Sequence, residues 1–117
     1  MNVKIAVFLR KIGLRATYVG FNYLVSAIEM VLSDDDYLQC LTTRLYPEIA
    51  QKYQISAASV ERSLRTLLEV FWSRGNVPLL EELLGYPLPS KPSTGEFIDI
   101  LSSHFRLCAC SAPTAAG

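Results

Sequence analysis

The sequence predicts an all-α fold, a compact bundle of about six helices that contains a helix-turn-helix. Apolar residues recur at helical spacing through most of the chain, and no convincing run alternates with the period of two that a strand would show. Hydrophobic residues make up 50% of the 117 positions, which is enough to bury one core without disulfides or a metal. We therefore expect one helical domain over residues 1–107, followed by a small, polar, disordered tail over residues 108–117.

The charge and cysteine content argues against several classes of protein. Eleven Lys and Arg residues balance eleven Asp and Glu residues, so DNA binding would need a local basic face. The cysteines, Cys40, Cys108 and Cys110, fit neither a disulfide framework nor a four-ligand zinc site. We interpret them as reduced thiols of a cytoplasmic protein. The carboxylates of residues 34–36 point in three directions on a helix, so we expect no metal site there.

The first third of the chain predicts two amphipathic helices and the start of a third. One side of the first helix consists of Ile5, Phe8, Leu9 and Ile12. Its apolar run is too short for a membrane span and has no signal-peptide cleavage site. Gly13 and Gly20 bracket a short connection. The second helix presents a stripe made of Phe21, Leu24, Val25, Ile28 and Leu32. It ends at Ser33, and the acidic residues 34–36 predict the capped first turn of another helix.

The last third predicts two more helices separated by a loop. Gly75 follows the last turn of the preceding helix, and Pro78 lies in the first turn of a short one. The Gly- and Pro-rich residues 85–92 cannot be helical. Ser93 and Glu96 have the spacing of a capping box, which predicts the start of the last helix. Its apolar positions are Phe97, Ile98, Leu101 and Phe105.

Residues 49–64 predict the two helices and the tight turn of a helix-turn-helix. Pro47 suits the start of the first helix, and the small Ala50 suits a close crossing of two helices. Ser56 is a good N-cap for the second helix, which we expect over about residues 57–73. The core face of this second helix is the stripe of Val60, Leu64, Leu67 and Phe71.

Polar side chains fall opposite that stripe, where a recognition helix would meet base edges in the major groove. They are Arg62, Arg65, Thr66 and Glu69, with Ser59 and Glu61 on the flanks. Arg can bond guanine with two donors, Glu can accept from cytosine, and Ser or Thr can contact phosphate or base. The alternative is an ordinary solvated face, with ion pairs among the two arginines and Glu69.

Several segments of the chain match a known family. The most specific are Val60-Glu61-Arg62 and Trp72-Ser73-Arg74-Gly75-Asn76. Further matching segments are Ile12-Gly13, Gly20-Phe21-Asn22-Tyr23-Leu24, Leu45-Tyr46-Pro47-Glu48-Ile49-Ala50, Gly85-Tyr86 and Glu96-Phe97-Ile98. In these segments the chain resembles the C-terminal effector domains of stage 0 sporulation protein A, the response regulator that commits endospore-forming bacteria to sporulation. The similarity extends from about residue 12 to residue 107.

The resemblance implies a transcription regulator that binds a short box in double-stranded DNA and contacts an RNA polymerase sigma factor. Such boxes often occur in tandem copies, on which a homodimer could assemble. With the residue analysis, it predicts a DNA-binding set of Ser56, Ser59, Glu61, Arg62, Arg65 and Thr66. The segment 73–86 would correspond to the sigma-factor surface. Its predicted contact residues are Ser73, Arg74, Asn76 and Tyr86.

The chain departs from the family pattern at three cationic positions. The basic residue and the Arg that flank the family's Gly-Tyr-x-Tyr-Leu motif are Val19 and Val25 here, and a recognition-helix His is Thr66. Each lost cation near the duplex removes a phosphate contact. The alternative prediction is therefore a protein-interaction module that pairs with a sigma factor or a full-length homologue. Val19 and Val25 support this alternative, because exposed apolar residues in place of cations suit a protein interface.

Features that the sequence lacks also bear on its function. Family members usually carry a receiver domain, for which 117 residues leave no room, so we expect no phosphorylation switch in cis. An excised domain and a stand-alone paralogue both fit, and Met1 and the divergent first helix favour the paralogue. His104 is the single histidine, and no matching nucleophile or Gly-rich phosphate loop accompanies it. We therefore expect neither an enzyme nor a cofactor.

Overall fold

The structure, a computed structural model, describes the backbone of residues 3–116 and the side chains of residues 3–106. Within this part the chain forms seven α-helices, one π-helical turn (Leu41–Leu45) and no strand. The helices are α1 (Val3–Lys11), α2 (Val19–Ser33), α3 (Asp36–Gln39), α4 (Tyr46–Tyr53), α5 (Ala57–Arg74), α6 (Val77–Leu84) and α7 (Thr94–Ala116). The all-α prediction is confirmed, and the helix count exceeds six because α3 forms a separate single turn.

Helix α2 lies at the centre of the bundle, in contact with α4, α5 and α7. Most of its predicted stripe is fully buried, and the predicted core face of α5 is buried in the same cluster. The ring of Phe71 on α5 stacks on that of Phe97 on α7, with centroids 5.4 Å apart. Burying an aliphatic or aromatic side chain contributes about 1.5–3 kcal/mol, so this shared core fixes α5 against the rest of the molecule.

Capping interactions set the helix boundaries that the sequence predicted. At the start of α5, the Oγ of Ser56 accepts a backbone N–H of the first turn at 3.1 Å. At the start of α7, the N–H of Glu96 donates to Ser93 Oγ (3.2 Å) and the N–H of Ser93 donates to Glu96 Oε1 (3.1 Å). One further cap was not predicted from the sequence. Asn76 Oδ1 accepts a first-turn N–H of α6 at 3.0 Å.

Two turns show local geometry that the sequence did not specify. Gly75 ends α5 as predicted, and its φ of −76° and ψ of 177° are extended. Glycine is needed there for space, because a Cβ would overlap the ring of Phe71 and lie 2.6 Å from its carbonyl oxygen. Helix α3 begins only at Asp36, whose N–H donates to Asp34 Oδ1 at 3.0 Å. The preceding Asp35 makes no capping bond, so the acidic run forms a side-chain turn ahead of the helix.

A glycine lies where helix α2 packs closely against α5. Gly20 was predicted to border the connection before α2, but it is the second residue of the helix itself. A Cβ there would lie 2.6 Å from the carbonyl oxygen of Ser63 and 3.1 Å from the Cβ of Leu67. A glycine is unfavourable for an isolated helix. Here the missing side chain lets the two backbones approach.

Polar contacts orient the segment between α2 and α4. The guanidinium of Arg44, in the π-helical turn, lies 4.2 Å from the centre of the Tyr37 ring. It also lies 3.6 Å from the carboxylates of Asp34 and Glu48. The phenol of Tyr37 donates to Glu48 Oε1 at 2.6 Å, and this bond to a carboxylate raises the pKa of Tyr37. These contacts are exposed, so they orient the segment more than they stabilise it.

Aromatic contacts attach α1 to α7. The ring of Phe8 lies 4.9 Å from that of His104 and 5.0 Å from that of Phe105, measured between centroids. Partial burial in this cluster lowers the pKa of His104 below its ordinary value of 6.5. His104 therefore has a packing role between the first and last helices.

The end of the chain bears on two predictions. The backbone of α7 continues to Ala116, while the side chains of residues 107–116 lie outside the described part. The predicted thiols of Cys108 and Cys110 belong to that region, and the predicted division after residue 107 stays a prediction. The thiol of Cys40 is free and half-buried. Among the helices described, none is long and apolar enough to span a membrane.

We expect Gly20→Ala to lower the free energy of unfolding by about 1–3 kcal/mol, because the new Cβ meets fixed backbone at Ser63. Urea unfolding followed by circular dichroism measures the change. Gly95→Ala is the matched control, since Gly95 is also the second residue of a helix and its Cβ would meet only the tip of Leu41, at 2.6 Å. Alanine has the higher helix propensity, so we expect this control to be at least as stable as the parent. If Gly20→Ala and Gly95→Ala lowered the free energy of unfolding equally, the crossing of α2 and α5 at Gly20 would not be tight.

We expect the stability to fall as the pH decreases below about 6.5, because the unfolded chain then binds a proton at His104 more readily than the folded chain does. The stabilisation from the neutral imidazole is complete above that pH. Urea unfolding at several pH values between about 7 and 5.5 measures the effect. His104→Phe keeps the aromatic contacts and removes the titration. A dependence on pH that persists in this variant would assign the effect to other groups.

Candidate nucleic-acid interface

The turn between α4 and α5 is three residues long, from Gln54 to Ser56. Gln54 adopts a left-handed conformation with φ 57° and ψ 48°, which is uncommon for a residue with a side chain. Its N–H and that of Ile55 satisfy the last carbonyls of α4, with Ile55 N 2.9 Å from the carbonyl oxygen of Ala50. The chain therefore reverses within one tight turn, and this geometry is consistent with the predicted helix-turn-helix.

Helix α5 presents the predicted polar residues on its outer face. Its inner face is buried as one stripe, made of Val60, Leu64, Leu67, Leu68 and Phe71. The side chains on the opposite side are exposed, namely Arg62, Arg65, Thr66 and Glu69. Ser59 and Glu61 lie on the flanks and are half-buried. The outer face of α5 is thus open at Arg62, Arg65 and Thr66 and partly covered at Ser59 and Glu61.

The charges on this face are paired unequally. Arg65 and Glu61 form an ion pair, with Nη1 and Oε1 3.7 Å apart. Glu69 pairs with Lys91 in the loop before α7 at 3.6 Å, and not with either arginine as the solvated-face alternative supposed. Among the described side chains, no carboxylate lies within 4.0 Å of the Arg62 guanidinium. Arg62 therefore keeps its donors for an external acceptor.

The serines at the start of α5 are engaged with each other. Ser56 Oγ accepts the N–H of Ser59 and donates to Ser59 Oγ at 2.9 Å. Close to them, the half-exposed carboxylate of Glu61 faces the beginning of α4. Burial raises the pKa of the Tyr46 phenol, and the negative charge of Glu61 raises it further. The first turn of α5 is thus fixed by its cap and by its neighbour α4.

An apolar recess of about 290 Å³ adjoins the outer face of α5. The start of α2 forms one wall and α5 forms the other, with Tyr18, Val19, Gly20, Arg62, Ser63, Thr66, Leu67 and Val70 as lining residues. Val19 is 70% exposed, as the alternative interface required. Val25 is only 2% exposed, so the prediction that it belongs to an exposed interface is wrong. Because Val25 belongs to the predicted apolar stripe of α2, its side chain faces the core.

The predicted sigma-factor residues lie around the end of α5. Ser73 and Arg74 occupy its last turn and are exposed. Asn76 is exposed too, but its side-chain oxygen is engaged as the cap of α6. Tyr86 follows Gly85, the left-handed residue that ends α6, and is 49% exposed. The end of α5 and the loop after α6 therefore leave three of these four side chains open to a partner.

One further cation of the helix-turn-helix, Lys52, lies in the last turn of α4 and was not predicted as a site residue. Its exposed side chain lies four residues before Ser56. A lysine at the end of a helix is common for electrostatic reasons alone, so its type gave no signal. Among the described residues, no group of three or more His, Cys, Asp and Glu side chains could hold a metal ion.

Comparison with known families gives a match over nearly the whole domain. The family described as Sporulation initiation factor Spo0A C terminal matches residues 5–105. The match covers most of α1, all of α2 to α6 and about half of α7, and it includes the capped helix α5 with its outer polar face. This is a family of DNA-binding domains and not of enzymes. The chain therefore belongs to the Spo0A C-terminal family.

Proposed function

We propose that this protein is a sequence-specific regulator of transcription that places α5 in the major groove of double-stranded DNA. The observation that carries the proposal is Arg62, an exposed arginine without a carboxylate partner on the outer face of a capped helix. An arginine in this position can give two hydrogen bonds to the O6 and N7 of guanine. Membership of a DNA-binding family supports the same conclusion.

The other residues of the face have complementary roles. Glu61 accepts from the amino group of a cytosine, while Arg65 and Thr66 contact phosphates or neighbouring bases. Reaching the DNA requires the Glu61–Arg65 pair to open. An exposed ion pair contributes about 0–1 kcal/mol, so opening it costs little compared with the hydrogen bonds that the two side chains then make to the duplex. Ser56 holds the start of α5, and Ser59, whose hydroxyl accepts from Ser56, can donate its own proton at the edge of the groove.

The same proposal includes the partners that the resemblance implied. Ser73, Arg74 and Tyr86 form a surface for a sigma factor, with Asn76 shaping the backbone between them. This surface lies at the end of α5 remote from Ser56, so one domain can hold DNA and polymerase together. Tandem boxes would bring two copies side by side as a homodimer. The proposed regulator acts in the cytoplasm, where the chromosome of an endospore-forming bacterium lies.

A protein-interaction module is the second candidate, and Val19 is the observation that favours it. Its exposed side chain borders an apolar recess, as an interface residue would. Val25, the second residue expected in this interface, is buried and does not support the alternative. Since Arg62 and Thr66 line the same recess, the recess lies beside the proposed DNA-reading face. We therefore keep DNA binding as the function.

We expect Arg62→Ala to weaken binding to the preferred duplex by about 1–3 kcal/mol and to relax the preference at one base pair. Fluorescence anisotropy measures this with the duplex enriched by selection from a random-sequence library, and with a scrambled duplex of the same composition. Arg74→Ala is the matched control, because Arg74 is exposed at the far end of the same helix. Equal weakening on both duplexes would mean that Arg62 contacts a phosphate. A parent chain that prefers neither duplex would overturn the proposed function.

We expect Val19→Lys to strengthen DNA binding and to steepen its salt dependence by about 0.9 in the slope of log K against log salt, because a cation beside Arg62 and Thr66 gains a phosphate contact. Anisotropy titrations at four salt concentrations give the slope. Val3→Lys is the control, since Val3 is 72% exposed on α1, outside the helix-turn-helix. If Val19→Lys and Val3→Lys change the slope equally, the effect comes from net charge alone and not from the position of the lysine. An unchanged slope for Val19→Lys alone would support the protein-interaction alternative.

A further inference from the structure

The amine of Lys52 is held by contacts that span α2 and α4. Its Nζ donates to the Oγ of Ser26 at 3.2 Å. That Oγ also lies within hydrogen-bond distance, 3.1 Å, of the phenol oxygen of Tyr53. The Nζ lies 5.4 Å from the centre of the Tyr53 ring, where the face of an aromatic ring attracts a cation. The ammonium group is therefore positioned before any ligand arrives.

This arrangement leaves the positive charge available. Ser26 is 3% exposed, whereas the Lys52 side chain is exposed above it. The two line a recess of about 190 Å³ whose other lining residues are Asn22, Val25, Glu29 and Tyr53. Although Glu29 borders the recess, no carboxylate of the described part lies within 4.0 Å of the Lys52 amine. A lysine anchored by neutral groups keeps its full charge for an external anion.

The position of Lys52 in the helix-turn-helix identifies the anion. Lys52 lies in the last turn of α4, and Ser56, four residues later, begins the helix proposed to enter the groove. When a recognition helix lies in the major groove, the first helix of the pair crosses the sugar-phosphate backbone. Phosphate oxygens are the anions that this backbone presents, and contacts to them fix the register of the protein on the duplex.

We propose that Lys52 binds a backbone phosphate of the duplex beside the recognition helix, and that Ser26 and Tyr53 position its ammonium group for this contact. The inference rests on the proposed DNA-binding function. The contact is independent of sequence, so it supplies affinity and register while Arg62 supplies the preference for a base. Holding the amine in advance reduces the rotamer freedom that a surface lysine loses on binding.

The test is the salt dependence of Lys52→Gln, measured by fluorescence anisotropy on the selected duplex and on the scrambled one. We expect weaker binding on both duplexes and a slope of log K against log salt that is shallower by about 0.9. The ratio of parent to variant affinity should then shrink about 3.5-fold between about 50 and 200 mM salt. An unchanged slope would overturn the inference even if affinity fell.

Lys11→Gln is the matched control for the loss of one lysine charge. Lys11 is exposed at the end of α1, and the N–H of Asn76 donates to the neighbouring carbonyl of Ile12 at 2.8 Å. The end of α1 therefore lies at the C-terminal end of α5, about 27 Å along that helix from its start. We expect this variant to keep the parent slope. A slope reduced as much as in Lys52→Gln would show a general charge effect and overturn the assignment to Lys52.

Two further variants separate the charge from its support. Lys52→Arg keeps the charge and should restore the parent slope. Ser26→Ala also keeps the charge of Lys52. We therefore expect a smaller loss of affinity than in Lys52→Gln, at an unchanged slope. A merely structural role of Lys52 would not give this difference in slope between the two variants. If the parent prefers the selected duplex and only the Lys52 result fails, the proposed function stands. If the parent binds no DNA at any salt, both fail together.

Discussion

The close crossing of α2 and α5 at Gly20 is the constraint on which the other features of the structure depend. Because no side chain separates the two backbones there, α5 is held near its middle, at Ser63. Its apolar stripe then turns fully into the core. The polar face that remains has one orientation relative to the bundle, and both Arg62 and Thr66 lie on it beside the start of α2. The crossing therefore fixes the backbone from which Arg62 and Arg65 project.

The two ends of α5 complete this support by different means. At its start, the side chain of Ser56 satisfies a free N–H of the first turn. At its end, Gly75 lets the chain leave the helix directly over the ring of Phe71. The left-handed Gln54 makes the preceding turn short, so that α4 is bound to the same end. The backbone of the helix is thus fixed at both termini and near its centre, so its outer face has one position relative to the bundle.

Much of this arrangement could be predicted because it is local. Helical spacing alone located the inner and outer faces of α5, and cap chemistry located its start. What the sequence did not reveal depends on residues far apart along the chain. Gly20 resembles a loop residue until Ser63 lies against it, and Val25 can be placed only when the packing of α2 is known. The anchoring of Lys52 needs Ser26, which lies on another helix.

The ion pair between Glu61 and Arg65 has a consequence for how this protein would find its site. With Arg65 paired to Glu61, the free domain would offer duplex DNA few unpaired cations along α5, and a chain with a net charge of zero adds little general attraction. Fewer counterions are then released when the domain binds a random DNA sequence, so that nonspecific complex is short-lived. A sequence that satisfies Glu61 and Arg65 separately would keep the pair open. The domain would therefore dissociate quickly from sequences on a chromosome that do not fit it. Its nonspecific affinity would be lower and its search for the site faster.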